Sequence, residues 1–170
     1  MLRTKRTYSH VLSVAMTTTT VDLPAFTLRG IARTFNTETR HQIPQLWDES
    51  VPRLFTLPGH DPQALYGACI DMIEGDGPDC GFVYMVGIAV DPSAPSLDGI
   101  TTVPVPAGRY AIFTYDGPIA GFPQFIDAVW REHLPATGLI KRNAPDFERY
   151  DERFSAKSGD GVVDYYIPVA

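Results

Sequence analysis

The chain has 170 residues, 44% of them apolar and 20% charged, a composition typical of one globular domain rather than of a disordered chain. Fourteen Lys and Arg against 20 Asp and Glu give a formal net charge of −6, which argues against direct nucleic-acid binding and favours cationic ligands. No apolar run approaches the ~20 residues that cross a bilayer, so we expect no membrane contact.

The first residues differ in composition from the rest of the chain. A basic opening is followed by a short apolar stretch at 11–16 and a run of threonines at 17–20. The apolar stretch does not fit a secretory signal, which needs ~7–15 apolar residues and a cleavage site. We predict that residues 1–22 form a disordered tail, or reflect a start codon assigned too early with Met16 as the true start. Residues 23–170 then form the domain.

The first half of the domain predicts a strand, a helix and two further strands. Apolar residues recur at helical spacing from Ile43 to Phe55, and Pro44 and Pro52 favour a late start or a kink. An acidic, glycine-containing turn at 74–81 separates the last two strands. The predicted strands are 26–33, 65–71 and 82–91.

The second half repeats this order after a loop at 91–99. A strand region at 100–115 is interrupted by prolines and a glycine, which indicates an edge or a bulge. The strongest helix runs from Gly117 to Thr137, with an apolar stripe and Gly138 as its C-cap. Strands at 146–153 and 162–169 close the domain.

The two halves share one order of elements, which predicts a pair of βαββ modules related by a pseudo-twofold axis. The expected fold class is α+β, with an antiparallel sheet and two helices packed on one face. The other face of the sheet and the seam between the modules are then left to be covered by something else.

Common enzyme and metal motifs are missing from the sequence. There is no GxSxG, P-loop or GxGxxG pattern, and the four histidines form no metal-binding spacing. Cys69 and Cys80 lack CxxC spacing, which is typical of unpaired thiols in a reducing cytosol. We therefore expect a cytoplasmic protein without a metal or cofactor.

Acidic and aromatic residues converge on the strand at 146–153. Glu148 and Tyr150 share one strand face, and a carboxylate among tyrosine rings suits a cation. The alternative interpretation of Glu148 is a surface residue that forms an ion pair with Arg142, Arg149 or Arg153. The alternative interpretation of the tyrosines is packing in the core or at its rim. Trp47 and Trp130 lie on helical apolar stripes, which indicate core positions.

Several segments together resemble the GyrI-like effector-binding family, the small-molecule-binding domain of many AraC-type and MerR-type transcription regulators. The resemblance covers about residues 24–169, and its most specific segments are PAGRYAIFTYDGP and the pair DFERY and YYIPV. The other matching segments are FTLRGIART, IPQLWDES, LYGACID and WREHLPATG.

This resemblance implies two βαββ modules about a pseudo-dyad and an aromatic-lined cleft at their seam. The acidic residue that contacts ligands in the family corresponds to Glu148 here. The aromatic residues that line the cleft correspond to Tyr66, Tyr84, Phe113, Tyr150, Tyr165 and Tyr166.

The resemblance also implies a function. Only about 23 residues precede the domain, too few for a helix-turn-helix, so the chain is similar to the stand-alone members. We expect a binding protein for lipophilic, cationic small molecules, acting in transcription regulation or toxin sequestration. One alternative is a hydrolase of strained cyclopropane-type genotoxic compounds, with Glu148 as general base. Another is a protein-interaction inhibitor of the DNA-gyrase type, with a protein partner or a homodimer.

Overall fold

The computed structural model describes residues 18–170, which form a single antiparallel sheet and two helical regions. The strands are β1 (Thr18–Leu23), β2 (Phe26–Phe35), β3 (His60–Ile73), β4 (Gly81–Val90), β5 (Thr101–Val105), β6 (Gly108–Pro118), β7 (Asp146–Tyr150), β8 (Phe154–Ser155) and β9 (Asp160–Pro168). The helices are α1 (Ile43–Leu54), α2 (Phe122–Ala128) and α3 (Leu134–Thr137). Short 3-10 turns lie at Arg40–Gln42, Gly77–Asp79 and Ile119–Gly121, and a π-helical segment, Val129–His133, joins α2 to α3.

The predicted α+β class is confirmed, with an antiparallel sheet and helices on one face. The strand order is β1-β6-β9-β7-β3-β4-β2-β5, and β8 pairs with β9. The central pair, β3 and β7, brings the two halves of the chain together at the seam. The pseudo-twofold relation between the halves remains a prediction.

The expected N-terminal boundary needs a correction. Residues 18–22 were predicted to lie outside the fold, yet Thr18–Leu23 form strand β1, which pairs with β6. The run of β-branched threonines suits a strand, and Val21 and Leu23 pack against a buried core. The rest of the predicted tail, including the start at Met16, lies outside the described residues.

The sheet curls strongly because two of its strands are continuous across a bend. The β1–β6 and β2–β5 ladders keep one register, running from Thr18↔Phe113 to Gly30↔Thr101. Only two residues join β1 to β2, and only two join β5 to β6. β1 and β2 therefore act as one long bent strand, and β5 and β6 act as a second one paired with it. This pairing draws the two ends of the strand order together into a half-barrel.

The two faces of the sheet bury different cores. On the outer, helix-covered face, α1 packs over β2 and β4, and the second helical region packs over β6 and β9. On the inner face no helix is present among residues 18–170, yet Leu28, Met85, Tyr110 and Phe147 are fully buried. The curvature of the sheet itself covers them.

The helix boundaries follow the proline and glycine positions. Helix α1 begins at Ile43 with Pro44 in its first turn, as predicted, and it accommodates Pro52 near its C-terminal end. The second helical region begins later than the predicted Gly117, because Gly117 and Pro118 remain in β6. Gly138 is the C-cap, with φ of 71°. No helix in the described part of the chain is long and apolar enough to cross a membrane.

Candidate functional site

Strand β7 directs two carboxylates and a tyrosine toward the helix-covered side of the seam. Residues 146, 148 and 150 share a face because side chains alternate along a strand. Glu148 lies opposite Gly67 of β3 and Tyr165 of β9. The candidate site is therefore a product of the β3–β7–β9 register.

Glu148 is half-buried and is bound by tyrosines. Its Oε2 accepts hydrogen bonds of 2.8 Å from the hydroxyls of Tyr84 and Tyr150. Within residues 18–170 no arginine or lysine forms an ion pair with Glu148, and no group donates a hydrogen bond to its Oε1. The alternative of a surface glutamate paired with Arg142, Arg149 or Arg153 is wrong, since Arg149 and Arg153 pair with Asp151 instead.

Burial dominates the electrostatics of this carboxylate. It raises the pKa of Glu148 to about 7, and the two tyrosine hydrogen bonds oppose part of that rise. Burial and the neighbouring Glu148 charge raise the pKa of Tyr84 and Tyr150 well above the usual tyrosine value. Both hydroxyls therefore remain protonated donors when Glu148 is ionised.

Trp47 of α1 lies against both tyrosines that bind Glu148. Its indole N–H donates a 3.2 Å hydrogen bond to the Tyr84 hydroxyl, and its ring meets Tyr150 edge-on at a centroid distance of 4.7 Å. The place of Trp47 on the helical stripe predicts a core position, but its indole is only half-buried. A helical stripe indicates which way Trp47 faces, but not that a tyrosine hydroxyl lies beneath it.

Gly67 makes this arrangement possible. A Cβ at Gly67 would lie 1.9 Å from the Tyr84 hydroxyl oxygen and 2.6 Å from Glu148 Oε2. Tyr84 is on β4, so its side chain must cross β3 to reach β7, and only glycine leaves the space. Sequence reasoning missed this residue because its role depends on cross-strand register.

A second tryptophan–tyrosine–acid array lies on the other side of the seam. Trp130 donates a 3.0 Å hydrogen bond to the Tyr165 hydroxyl, which donates a 2.6 Å bond to Asp146 Oδ2. Burial raises the pKa of Asp146, and the bond from Tyr165 opposes the rise. Trp130 is also half-buried rather than in the core, and Asp146 was not among the predicted site residues.

The predicted aromatic residues fall into three groups. Tyr84, Tyr150 and Tyr165 lie at the seam around Glu148 and Asp146. Phe113 is fully buried in the core beneath the second helical region. Tyr66 and Tyr166 lie on the inner face, where both join the Phe147 aromatic cluster.

Two open clefts lie beside the loop at 143–145, which precedes β7. One, of about 660 Å³, is largely apolar and is bordered by Phe26, Val105, Pro106 and Pro145 where the long strands bend. The other, of about 400 Å³, is bordered by Asp146, Cys69 and Lys141. Glu148 borders neither of these two clefts. The described residues contain no cluster of three or more His, Cys, Asp or Glu that could hold a metal ion.

Comparisons with known proteins match nearly the whole chain. A family model described as "GyrI-like small molecule binding domain" matches residues 16–170. The transcriptional regulator BrlR of Pseudomonas aeruginosa is 32% identical over 169 residues, which cover 98% of this chain and 60% of BrlR. The right origin-binding protein of Escherichia coli is 32% identical over 130 residues, covering 73% of this chain and 42% of that protein.

Solved structures share the fold. The structure of SAV2435 bound to tetraphenylphosphonium matches with a TM-score of 0.71 at 21% identity, covering 91% of this chain and 94% of that one. At this identity the likeness concerns the fold alone. The chain thus spans about half the length of the curated regulators it matches, and nearly all of this structural neighbour.

Proposed function

Because the chain belongs to the family of GyrI-like small-molecule-binding domains, we propose that it binds lipophilic cations at the seam, with Glu148 as the charged anchor. The observation that carries this proposal is a half-buried carboxylate without a cationic partner in the described chain, held by two tyrosine hydroxyls. A ligand cation would supply the missing charge.

Burying the Glu148 carboxylate costs free energy that a bound cation would offset. Desolvation disfavours the ionised carboxylate, and its raised pKa reflects that cost. A cation brought within about 4 Å gains roughly 4 kcal/mol of Coulomb energy at the effective dielectric near a protein surface. The free Oε1 is the atom that a ligand would approach, because the tyrosines occupy Oε2.

Further aromatic rings lie against Tyr150, one of the two tyrosines that bind the carboxylate. Trp47 and Tyr150 contact each other, and Phe122 lies within 6.4 Å of the Tyr150 ring centroid. Aromatic faces attract a desolvated cation by ~0.5–2 kcal/mol each. A bulky cation with apolar substituents uses both contributions, as tetraphenylphosphonium, the ligand in the SAV2435 structure, would. We propose that such capture sequesters toxic cations or reports them to a regulator, since the relatives include transcriptional regulators.

The test is a calorimetric titration with tetraphenylphosphonium and with tetraphenylborate, an anion of nearly the same shape. We expect the wild-type chain to prefer the cation, and Glu148→Gln to weaken cation binding by about 10- to 100-fold. Glu152→Gln, at an exposed acid four positions along, is the matched control and should bind as wild type does. Equal cation affinity for wild type and Glu148→Gln would refute the role of the carboxylate.

One observation favours hydrolysis as a second candidate function. A carboxyl with a pKa of about 7 is well matched to general-base catalysis near neutral pH. Glu148 would take a proton from water as the water oxygen bonds to a ring carbon of a strained cyclopropane. The ring bond breaks, and its electron pair moves into the conjugated system of the substrate. Multiple turnovers of ring-opened product, absent in Glu148→Gln, would support it; stoichiometric binding alone would exclude it.

A further inference from the structure

A pair of sulfur atoms lies at the far end of strand β3. The pairing of β3 with β4 shifts between Cys69 and Asp71, which leaves Ile70 as an extra residue. Such a β-bulge interrupts the alternation of side chains along the strand. Cys69 and Met72, three positions apart, therefore come together, with 3.8 Å between the thiol and thioether sulfurs.

The spacing of the two sulfurs suits a shared metal ion. Two metal–sulfur bonds of about 2.3 Å to sulfurs 3.8 Å apart meet at an angle of about 110°. That angle fits a three- or four-coordinate ion to which Cys69 and Met72 supply two of the ligands. Thiolate and thioether sulfurs are soft ligands, which select Cu(I) over hard cations such as Mg²⁺ and Ca²⁺.

The surroundings give a cation access and a favourable charge. Both residues border the cleft of about 400 Å³; Cys69 is half-buried, and Met72 is 65% exposed. Asp71 and Asp146 also border it, and Asp146 is the register partner of Cys69. Lys141, 3.8 Å from Asp146, offsets one of these charges, so the cleft keeps one net negative charge. One negative charge favours a monovalent cation over an anion.

We infer that Cys69 and Met72 form a binding site for a soft monovalent metal ion of the Cu(I) class. Burial and the nearby carboxylates raise the pKa of the Cys69 thiol to about 12, so the metal ion must displace this proton, which passes to solvent as the metal–sulfur bond forms. The Met72 thioether donates a lone pair and keeps its charge. The site is independent of the function proposed for Glu148, because no atom of Glu148 takes part.

The experiment uses Ag(I), which has the same ligand preference and does not change oxidation state. The parent chain carries Cys80→Ser, since Cys80 is an exposed thiol that would bind Ag(I) by itself. Methionine methyl groups are labelled with carbon-13 and followed by NMR during the titration. We expect the Met72 methyl resonance to shift and to saturate at one Ag(I) per chain. The resonance of Met85, fully buried on the inner face, is the internal control and should stay in place.

Two variants decide the matter. Replacing outer-shell partners costs metal sites about 10- to 100-fold in affinity, and loss of a ligand sulfur should cost at least as much. Cys69→Ser and Met72→Leu should therefore each weaken Ag(I) binding by that factor or more. Unchanged affinity in Met72→Leu, or an unmoved Met72 methyl resonance, would reduce the site to simple thiol capture and overturn the inference. Tetraphenylphosphonium affinity should be the same in Met72→Leu and its parent, whichever result is obtained.

Discussion

At the scale of single residues, the role proposed for Glu148 makes ligand binding depend on pH. Its pKa of about 7 lies well above the ordinary glutamate value, because burial disfavours its charged form. The folded protein therefore holds this proton over a pH range in which an unfolded chain has already lost it. The free energy of unfolding therefore falls as the pH rises from about 4.5 to about 7, and above pH 7 the folded protein carries the buried charge.

The first prediction concerns the pH dependence of cation binding. Tetraphenylphosphonium does not titrate, so its affinity should follow the ionised fraction of Glu148. With a pKa of about 7, that affinity should rise about tenfold between pH 6 and pH 8. Calorimetry at both pH values measures the change. A profile of the same slope in Glu148→Gln would assign the titration to another group, with Asp146 the first to examine.

The second prediction concerns Gly67. Gly67→Ala should push the Tyr84 hydroxyl away from Glu148, because the new Cβ would overlap it. We expect the free energy of unfolding to fall by about 1–3 kcal/mol and tetraphenylphosphonium binding to weaken. Chemical denaturation and calorimetry measure the two effects. Combining Gly67→Ala with Tyr84→Phe, which lacks the hydroxyl, should cost less than the sum of the single changes; strict additivity would contradict the proposed overlap.

At the scale of elements, α1 has an unpaired hydroxyl group on its buried face. Ser50 is fully buried between Leu46 and Leu54, and its hydroxyl has no hydrogen-bond partner in the described chain. An unsatisfied buried hydroxyl costs free energy that a methyl group does not. The face that meets the sheet is therefore not optimised for stability.

The third prediction concerns the unpaired hydroxyl of Ser50. Ser50→Ala should raise the free energy of unfolding by about 1 kcal/mol, since it removes the unpaired hydroxyl and keeps the small volume. Thermal and denaturant unfolding measure the change. A loss of stability would mean that the hydroxyl bonds to a backbone carbonyl of the helix after all.

The sequence predicted elements better than it predicted the site. Apolar spacing and Pro44 located α1, and Gly138 located the end of the second helical region. Strand β1 was missed because a threonine run resembles a low-complexity tail until β6 is placed beside it. Tyr165 and Tyr166 are neighbours on one strand, so alternation alone already excluded that both line one cleft. The roles of Gly67, Trp47 and Asp146 depend on cross-strand register, which a single sequence does not reveal.

At the scale of the whole molecule, the two long bent strands hold the halves together. Strand β1 extends β2 past the bend and closes the ladder onto β6. Its residues Val21 and Leu23 complete the core on the inner face. The N-terminal strand is therefore part of the structure that supports the seam, although it lies far from Glu148 in sequence.

The fourth prediction compares a chain that begins at Thr18 with one that begins at Pro24, each with an added initiator methionine. Loss of β1 should lower the free energy of unfolding by at least about 2 kcal/mol, because it exposes two apolar side chains and removes a six-residue ladder. Denaturant titration of both chains measures the difference. Equal stability would restore the original expectation that these residues lie outside the fold.

The continuous register of the bent strands has a consequence for how the protein accommodates ligands of different shape. Because the β1–β6 and β2–β5 ladders keep one register across the bend, we expect the sheet to flex little there. Helix α1, in contrast, meets the sheet through side chains such as Trp47 and Glu49. Adjustment to a ligand therefore falls to the helices and their aromatic side chains, while the strands beneath hold the carboxylate at a fixed position.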